Sequence, residues 1–400
     1  MVAAPGSNSA VYRPNPGAIV VAIDPGHGGC LDWGVPNPYD NKPAKAEKAD
    51  TLGIALALRA LLRAQGITVV MTRDDDSAIA GDNYPALGCN GAAWRDVNGD
   101  GLKGFGPGLP EATRTRDELS ARIDLANLAR ADLTISLHIN SMTQNGVLYR
   151  IAASQTFYTN AYSWADASRR LGAAVQAGVV RTLGAGAGYK RQDRGVDGTA
   201  PYLYFLKPTG TDPKSPRRNL LMPAILAEVG SVSLEAEATR LATDAGRQAA
   251  ATGVYDGIVA YLANRPLAAR LDALLPGGEA GQPPAEMAGS GPPFWAPVLS
   301  GVQLRVRLTN TGTATWPSGF TLAAGWAASQ MPYLATLPGK LERLQGSVPA
   351  LDPGASLELE VTLPAAGMGR QVAWITLVDA SGTPLTNLGV APLQLATQQP

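Results

Sequence analysis

The sequence predicts an α/β fold, a mostly parallel sheet with helices on both faces, followed by a small all-β sandwich. Three observations carry that expectation. From residue 18 to about 265, short apolar runs alternate with longer segments of helical period, the pattern of βαβ units. Residues 266–292 turn rich in Pro, Gly and Ala after a short helical extension, the composition of a linker. Over residues 293–397 the period changes to two, and turn residues separate the runs.

Residues 1–17 form a polar tail ahead of the first element. "AIVVAI" (18–23) is a continuous apolar run, as expected for a strand buried on both faces. "AEKADTLGIALALRALLRAQG" (46–66) is a helix, apolar nearly all round. Arg59 and Arg63 at i and i+4 mark its wet edge, and Gly66 caps its end. "ITVVMT" (67–72) is the second strand. Residues 74–116 lapse into Gly, Pro, Asn and Asp, too long for an ordinary connection, and are expected to be an inserted loop. "DELSARIDLANLAR" (117–130) is a helix feeding the strand "ADLTISLH" (131–138). A helix within 164–183, a short strand "YLYFL" (202–206), the strand "PAILAEV" (223–229) and a closing helix over 235–262 complete this domain, which is expected to span 18–265. In the sandwich, Val302, Leu304, Val306 and Leu308 alternate with Gln303, Arg305 and Arg307, and Leu357, Leu359, Val361 and Leu363 repeat the pattern.

The 400 residues are enough for two or three domains, each with its own core. Lys and Arg number 33, as do Asp and Glu, so no global field draws the protein to nucleic acid or an anionic membrane. No apolar run approaches the ~20 residues that cross a bilayer. The opening "MVAAPGSNSAVYRPNPG" lacks a basic region followed by an apolar one, so no signal peptide is visible. Cys30 and Cys89 are the two cysteines and a candidate disulfide.

The chain holds two histidines, and both fall where such a sheet places chemistry. His27 follows the first strand within "DPGHGG", and His138 ends "ADLTISLH". Two imidazoles at strand carboxyl ends can converge on one point. A catalytic zinc needs three protein ligands and an open position, and two histidines with one carboxylate form a known set. Asp24, Asp32, Asp40, Glu47 and Asp50 are candidates for the third ligand. Glu47 and Asp50 share the first turn of the helix, where the helix dipole also favours a carboxylate, and spacing alone does not choose between them. A further group must take the proton of an attacking water. Glu228 suits that role, because a carboxylate ending the apolar strand "PAILAEV" is costly unless used or paired.

Taken in order, "IDPGHGG", "EKADTLGIALALRALL", "VVMTR", "RIDLANLARADLTISLHINS" and "PAILAEVGSVS" resemble the zinc-dependent N-acetylmuramoyl-L-alanine amidases of the type-3 amidase fold, over residues 18–265. The resemblance implies one zinc held by His27, Glu47 and His138, with Glu228 as acid/base. Glu47 is implied over Asp50 because the family's metal glutamate precedes the first leucine of its helix by five positions, as Glu47 precedes Leu52. The implied reaction is hydrolysis of the amide between N-acetylmuramic acid and the L-alanine of the peptidoglycan stem peptide. Such a substrate implies an extracytoplasmic enzyme, secreted, periplasmic or held at the cell wall. The family usually carries a Phe and an Asn after the catalytic Glu, where this chain has Ser231 and Leu234, which bears on substrate contacts rather than on the metal. Two other readings compete, a non-catalytic peptidoglycan-binding protein and another zinc peptidase acting on stem peptides. Retention of all four residues favours an enzyme.

"DVNGDG" matches the opening of a calcium loop, with Asp96, Asn98 and Asp100 at its first, third and fifth positions. Its twelfth position is Pro107, so the closing acid is absent where a standard loop has it; the resemblance to amidases that carry such a loop running into the "DEL" helix implies Asp117 or Glu118 instead, and calcium is carried as a second candidate ion. "VRLTNTGTATWPSGFTLAAGW" and "AWITLVD" resemble the Ig-like domains of the neighbour-of-BRCA1 family, with Trp316, Trp326 and Trp374 at the matching places. The resemblance implies binding of an envelope partner or spacing, while tryptophans in a sandwich are as readily core.

Overall fold

A computed structural model describes residues 19–29, 32–78, 111–144, 146–199, 203–207, 219–274, 295–297, 303–328 and 337–399. The first part of the chain runs β1 (Val20–Pro25), α1 (Glu47–Ala64), β2 (Thr68–Met71), α2 (Glu111–Leu128), β3 (Leu133–Asn140), the two-residue strands β4 (Thr143–Gln144) and β5 (Val147–Leu148), β6 (Ala152–Phe157), α3 (Ala165–Gly184), β7 (Arg191–Asp197), β8 (Ala224–Ser231), α4 (Glu235–Leu241) and α5 (Asp244–Ala263). Six of these strands form one mixed sheet in the order β2-β1-β3-β8-β6-β7, in which only the β6 to β8 pairing is antiparallel.

Strand alternation gives β1, β3 and β8 two faces, both of them largely buried. Val21 and Ile23, with Leu133, Ile135 and Leu137 and with Ile225 and Ala227, pack on one face against Ile54 and Leu58 of α1, Leu171 and Val175 of α3, and Ile258 of α5. Ala22, Ala224 and Leu226 point the other way, against Ile123 and Ala126 of α2. Helices therefore cover both faces. At the end of α1, Gly66 adopts φ +77°, its amide donates to Arg63, and the Ile67 amide donates to Leu62. That pair of bonds is a Schellman cap, which favours glycine because an L side chain resists positive φ.

Helices α3 and α5 approach through glycines. A Cβ added at Gly257 would lie 2.4 Å from the Val175 Cα, a backbone atom that cannot turn aside. Alanine gains roughly 0.5–1 kcal/mol of helix preference over glycine, but overpacking costs about 1–3 kcal/mol. The clash wins, so Gly257→Ala is expected to lower the urea midpoint while leaving the helical circular dichroism of the folded state unchanged.

Several elements differ from expectation. The closing helix is two, α4 and α5, because Thr243 interrupts it and its side chain accepts the Gly246 amide as an N-cap. Helix α2 starts at Glu111, inside the expected insertion. The described residues of "YLYFL", 203–206, supply no strand: residues 204–206 form a turn closed by the Leu206 amide on the Leu203 carbonyl, and Phe205 and Leu206 are buried against the α2 face of the sheet. The missing strands are β6 and β7. The latter reads "RQDRGVD" and is a polar edge strand with no apolar signal.

The described residues that follow are β apart from a 3-10 turn at Leu385–Leu388: β9 (Ala269–Leu274), β10 (Trp295–Pro297), β11 (Gln303–Asn310), β12 (Phe320–Ala328), β13 (Glu342–Val348), β14 (Ser356–Thr362), β15 (Gly369–Val378) and β16 (Leu393–Gln399). Two sheets, β10-β16-β15-β12-β13 and β14-β11-β9, share one core that includes Leu271, Val306, Leu308, Trp316, Leu322 and Ile375. Residues 269–274, expected within the linker, instead pair antiparallel with β11, since Ala269 and Leu271 have a core to enter.

Of the three tryptophans, Trp316 is core, Trp326 donates its ring N–H to the Pro364 carbonyl, and Trp374 faces the first part of the chain. There it packs with Val372 against Trp164 and Leu221. Around this contact, Arg130 donates to the carbonyls of Leu271 and Pro392, and buried Arg265 reaches the Thr311 carbonyl. Arg130 and Leu221 flank the amino ends of β3 and β8, so the all-β region sits on the sheet edge opposite the strand carboxyl ends. No helix among the described residues is long and apolar enough to cross a membrane.

Candidate functional site

Adjacent strands β1, β3 and β8 deliver three side chains to one edge. His27 lies two residues beyond β1, His138 lies near the end of β3, and Glu228 is the register partner of His138 on β8. Glu47, the first residue of α1, completes the group. His27 Nε2 is 3.1 Å from Glu47 Oε2, and His138 Nδ1 is 3.0 Å from Glu47 Oε1. One ligand atom from each of His27, Glu47 and His138 lies within 4.8 Å of the others, so these three could hold one metal ion. The Glu47 carboxylate is held by the backbone amides of Val35 and Ile139, each at 2.8 Å.

Close approach requires glycine at two places. A Cβ on Gly26 would lie 2.5 Å from the His138 ring, and one on Gly34, at φ +67°, would lie 2.4 Å from Glu47 Oε2. These glycines leave room for the ligands rather than flexibility in the loop.

Burial opposes the charged form of His27, but the Glu47 carboxylate and then Asp32 outweigh it, and the imidazole is pushed up to about 10. Burial would likewise raise Glu47, yet the two imidazoles hold it well below the usual carboxylate range. The cluster therefore favours positive charge at its centre, as a cation site must. Glu228 behaves oppositely. Burial, with the Glu47 charge beside it, pushes its carboxyl well above the usual value, and its Oε2 is buried without a hydrogen-bond partner among the described residues. A buried carboxyl with an unpartnered oxygen next to a cation site is a candidate proton carrier.

Beneath the site, buried cations grip the loop that carries His27. Arg122 donates to the carbonyls of Pro25 and His27 and to the carboxylates of Asp24 and Glu118, all at 2.8 Å. Arg73 donates to Pro25 and Gly26, and Lys48 Nζ to Gly29. His27 adopts φ +63°, a conformation that costs a non-glycine residue of order 1–3 kcal/mol and persists only where its surroundings fix it. Sequence reasoning passed over these cations. Glu118 and Arg122 stand at i and i+4 of α2, a spacing that is common on exposed helix faces and does not mark a buried pair.

Asp24 is not a ligand: it accepts from Arg122, Ser136 and Thr72 below the site. Burial would raise it, but the Arg122 charge and the two hydroxyls hold it below the usual carboxylate range. Asp50 turns to Arg247 of α5 at 2.8 Å, and Asp40 pairs with Lys42 at the surface. Asp32 contacts the far nitrogen of His27. Ser231 is buried, its hydroxyl accepting the Ser233 amide, and Leu234 is the N-cap residue of α4. The calcium candidates Asp96, Asn98 and Asp100 and the cysteines Cys30 and Cys89 lie outside the described residues, as does the side chain of Asp117. Glu118 is held by Arg122.

Comparison with known proteins gives a consistent result. The family model Amidase_3, N-acetylmuramoyl-L-alanine amidase, matches residues 21–260. A germination-specific N-acetylmuramoyl-L-alanine amidase of Bacillus subtilis is 25% identical over 246 residues, covering 62% of this chain and 81% of the relative. The amidase LytC of Bacillus subtilis is 29% identical over 159 residues, 38% of this chain and 27% of its own. Among solved structures, the CwlD amidase from Clostridioides difficile in complex with the GerS lipoprotein is 24% identical with a TM-score of 0.44, covering 61% of this chain and 98% of that one. The family match spans more than half of the chain and takes in His27, Glu47, His138 and Glu228; the protein belongs to the N-acetylmuramoyl-L-alanine amidases and is a cell-wall hydrolase.

Proposed function

We propose that the protein hydrolyses the amide between N-acetylmuramic acid and L-alanine with one zinc ion, which His27 Nε2, Glu47 and His138 Nδ1 would hold, and with Glu228 as acid/base. The observation that carries this reading is the convergence of three ligand atoms within 4.8 Å beside a buried carboxyl with an unpartnered oxygen. The donor set fits the ion, because two imidazoles and a carboxylate leave a fourth position open for catalysis. Zinc, when bound, supplies Lewis acidity that activates water at neutral pH and polarises the scissile carbonyl.

The chain's own residues do the rest. Amides of Val35 and Ile139 keep the Glu47 carboxylate in place, so the site is formed before substrate arrives. Glu228 Oε2 would accept the proton of the attacking water and return it to the departing L-alanine amine, so that the C–N bond breaks to a neutral amine. Its raised pKa suits the second half of that cycle, in which the carboxyl must be an acid.

Two measurements check the metal. Zinc at 100 times its Kd is expected to stabilise the metal-free protein by about 2.7 kcal/mol, read as a rise in melting temperature. Incubating purified muropeptides with zinc-replete and chelator-treated protein, with products identified by mass, tests the reaction. Release of intact stem peptide by the replete sample alone is expected. Cleavage inside the peptide would point to a zinc peptidase, and no cleavage to a binding protein.

The rest of the reading follows from the substrate and the fold. The enzyme would act outside the cytoplasm, where peptidoglycan lies. The amidase domain is proposed to span 18–265 and the Ig-like sandwich 293–397, with β9 joining the sandwich from the connecting segment. Burial of Trp316 and Trp374 favours packing over ligand binding for those two side chains, which leaves spacing or an envelope partner as the role of the sandwich.

A further inference from the structure

Carboxylates reach His27 from two sides. Nε2 faces Glu47 and the metal cluster, while Nδ1 lies 2.6 Å from Asp32 Oδ1. The contact is built rather than incidental. The Asp32 carbonyl accepts the Gly28 amide at 2.9 Å, an isolated bridge that ties Asp32 to the residue after His27. Oδ1 also accepts the Gly34 amide at 3.3 Å, which sets the side chain. Asp32 thus grips both the main chain and the ring of the His27 loop.

A carboxylate only accepts, so the proton shared in this contact sits on Nδ1. A neutral imidazole has one lone pair, and a proton on Nδ1 places it on Nε2. His138 is aimed differently: it faces Glu47 through Nδ1, and its ring rests on Gly26, with no space there for a Cβ. Both rings pack on a glycine, His138 on Gly26 and His27 on Gly34, and His27 has in addition the Asp32 hydrogen bond on the nitrogen that faces away from Glu47.

We propose that Asp32 is a positioning residue of the metal centre, taking the Nδ1 proton of His27 and so directing the Nε2 lone pair toward Glu47 and His138. This rests on the zinc reading above. Asp32 lies behind the ligand and is not a ligand itself. Outer partners of this kind typically contribute 10–100-fold to metal affinity.

The test uses the full chain as wild type, Asp32→Ala and Asp32→Asn, labelled with nitrogen-15 histidine. Two histidines give only four ring nitrogens to assign. Zinc affinity is read by chelator competition, folding by thermal melts, and the His27 Nδ1 proton by NMR with and without zinc. Asp32→Ala is expected to weaken zinc binding about 10–100-fold and to lose the Nδ1 proton signal to exchange with water. Asp32→Asn keeps an acceptor, so it should retain the signal at a shifted position and lose less affinity. The Asp32 side chain is 41% exposed, so neither change opens a core cavity. If Asp32→Ala melted early, Asp32→Asn would carry the test through its shifted proton and smaller affinity loss. Wild-type affinity in both variants, or a weakened affinity with the Nδ1 proton unchanged, overturns the proposal. A wild type that binds no zinc, yet whose Nδ1 proton depends on Asp32, would overturn the zinc reading and leave the role of Asp32 in orienting His27 standing.

Discussion

Glu228→Gln is expected to leave a folded protein that binds zinc as wild type does and hydrolyses muropeptides about 10²–10⁴-fold more slowly, the range for loss of a positioned acid/base. The amide keeps the shape of the carboxyl and removes its proton chemistry. Because Glu228 is buried beside Glu47, it also removes a source of charge repulsion, so stability should hold or rise slightly. The check is paired: steady-state rates with products identified by mass, and zinc content of the same sample. Loss of zinc along with activity would make Glu228 a ligand, and near wild-type rates would remove it from the chemistry.

Arg122→Met is expected to cost about 3–5 kcal/mol, the range for removing one partner of a buried ion pair. The side chain is nearly without exposure and serves Asp24, Glu118 and two carbonyls of the His27 loop, so the variant buries two carboxylates without their cation. The pH dependence follows from Asp24. Its folded pKa is below its unfolded value of about 3.9, so its stabilising contribution is fully present above that value and is lost as pH falls through the folded pKa. Without Arg122, burial dominates and the carboxyl rises, so the deficit of the variant is largest at neutral pH and shrinks on acidification. Urea denaturation of both proteins at pH 7 and pH 5 measures this. A loss under about 1 kcal/mol at pH 7, typical of an exposed pair, would contradict it. Asp24→Asn in the Arg122→Met background should recover part of the loss, since contacting residues couple.

The contrast between these residues shows what the sequence makes legible. His27 and His138 could be placed because a parallel sheet presents its strand ends together, and a chain with two histidines offers no others. Glu228 was visible as a charge ending an apolar strand. Glu47 and Asp50 stand one helical turn apart with the same chemistry, and what separates them is Arg247, 197 residues from Asp50. No local pattern encodes that partner. Arg122 was hidden for a related reason: a Glu-Arg pair at helical spacing looks the same whether it faces water or the underside of a metal site. The polar strand β7 carries no period-two apolar signal because it is an edge. Residues 203–206 mislead in the opposite sense, since a buried turn can be as apolar as a strand. Trp374 was expected from its motif, but its contact with Trp164 joins two parts of the chain that sequence reading treats separately.

Anomalous diffraction at the zinc edge, from crystals of the zinc-loaded full chain, tests the account most directly. One peak is expected, bounded by His27 Nε2, Glu47 and His138 Nδ1, with Asp32 on the far side of the His27 ring and Glu228 near the open position. A peak elsewhere, or none at these three residues in a sample that cleaves muropeptides, would contradict it.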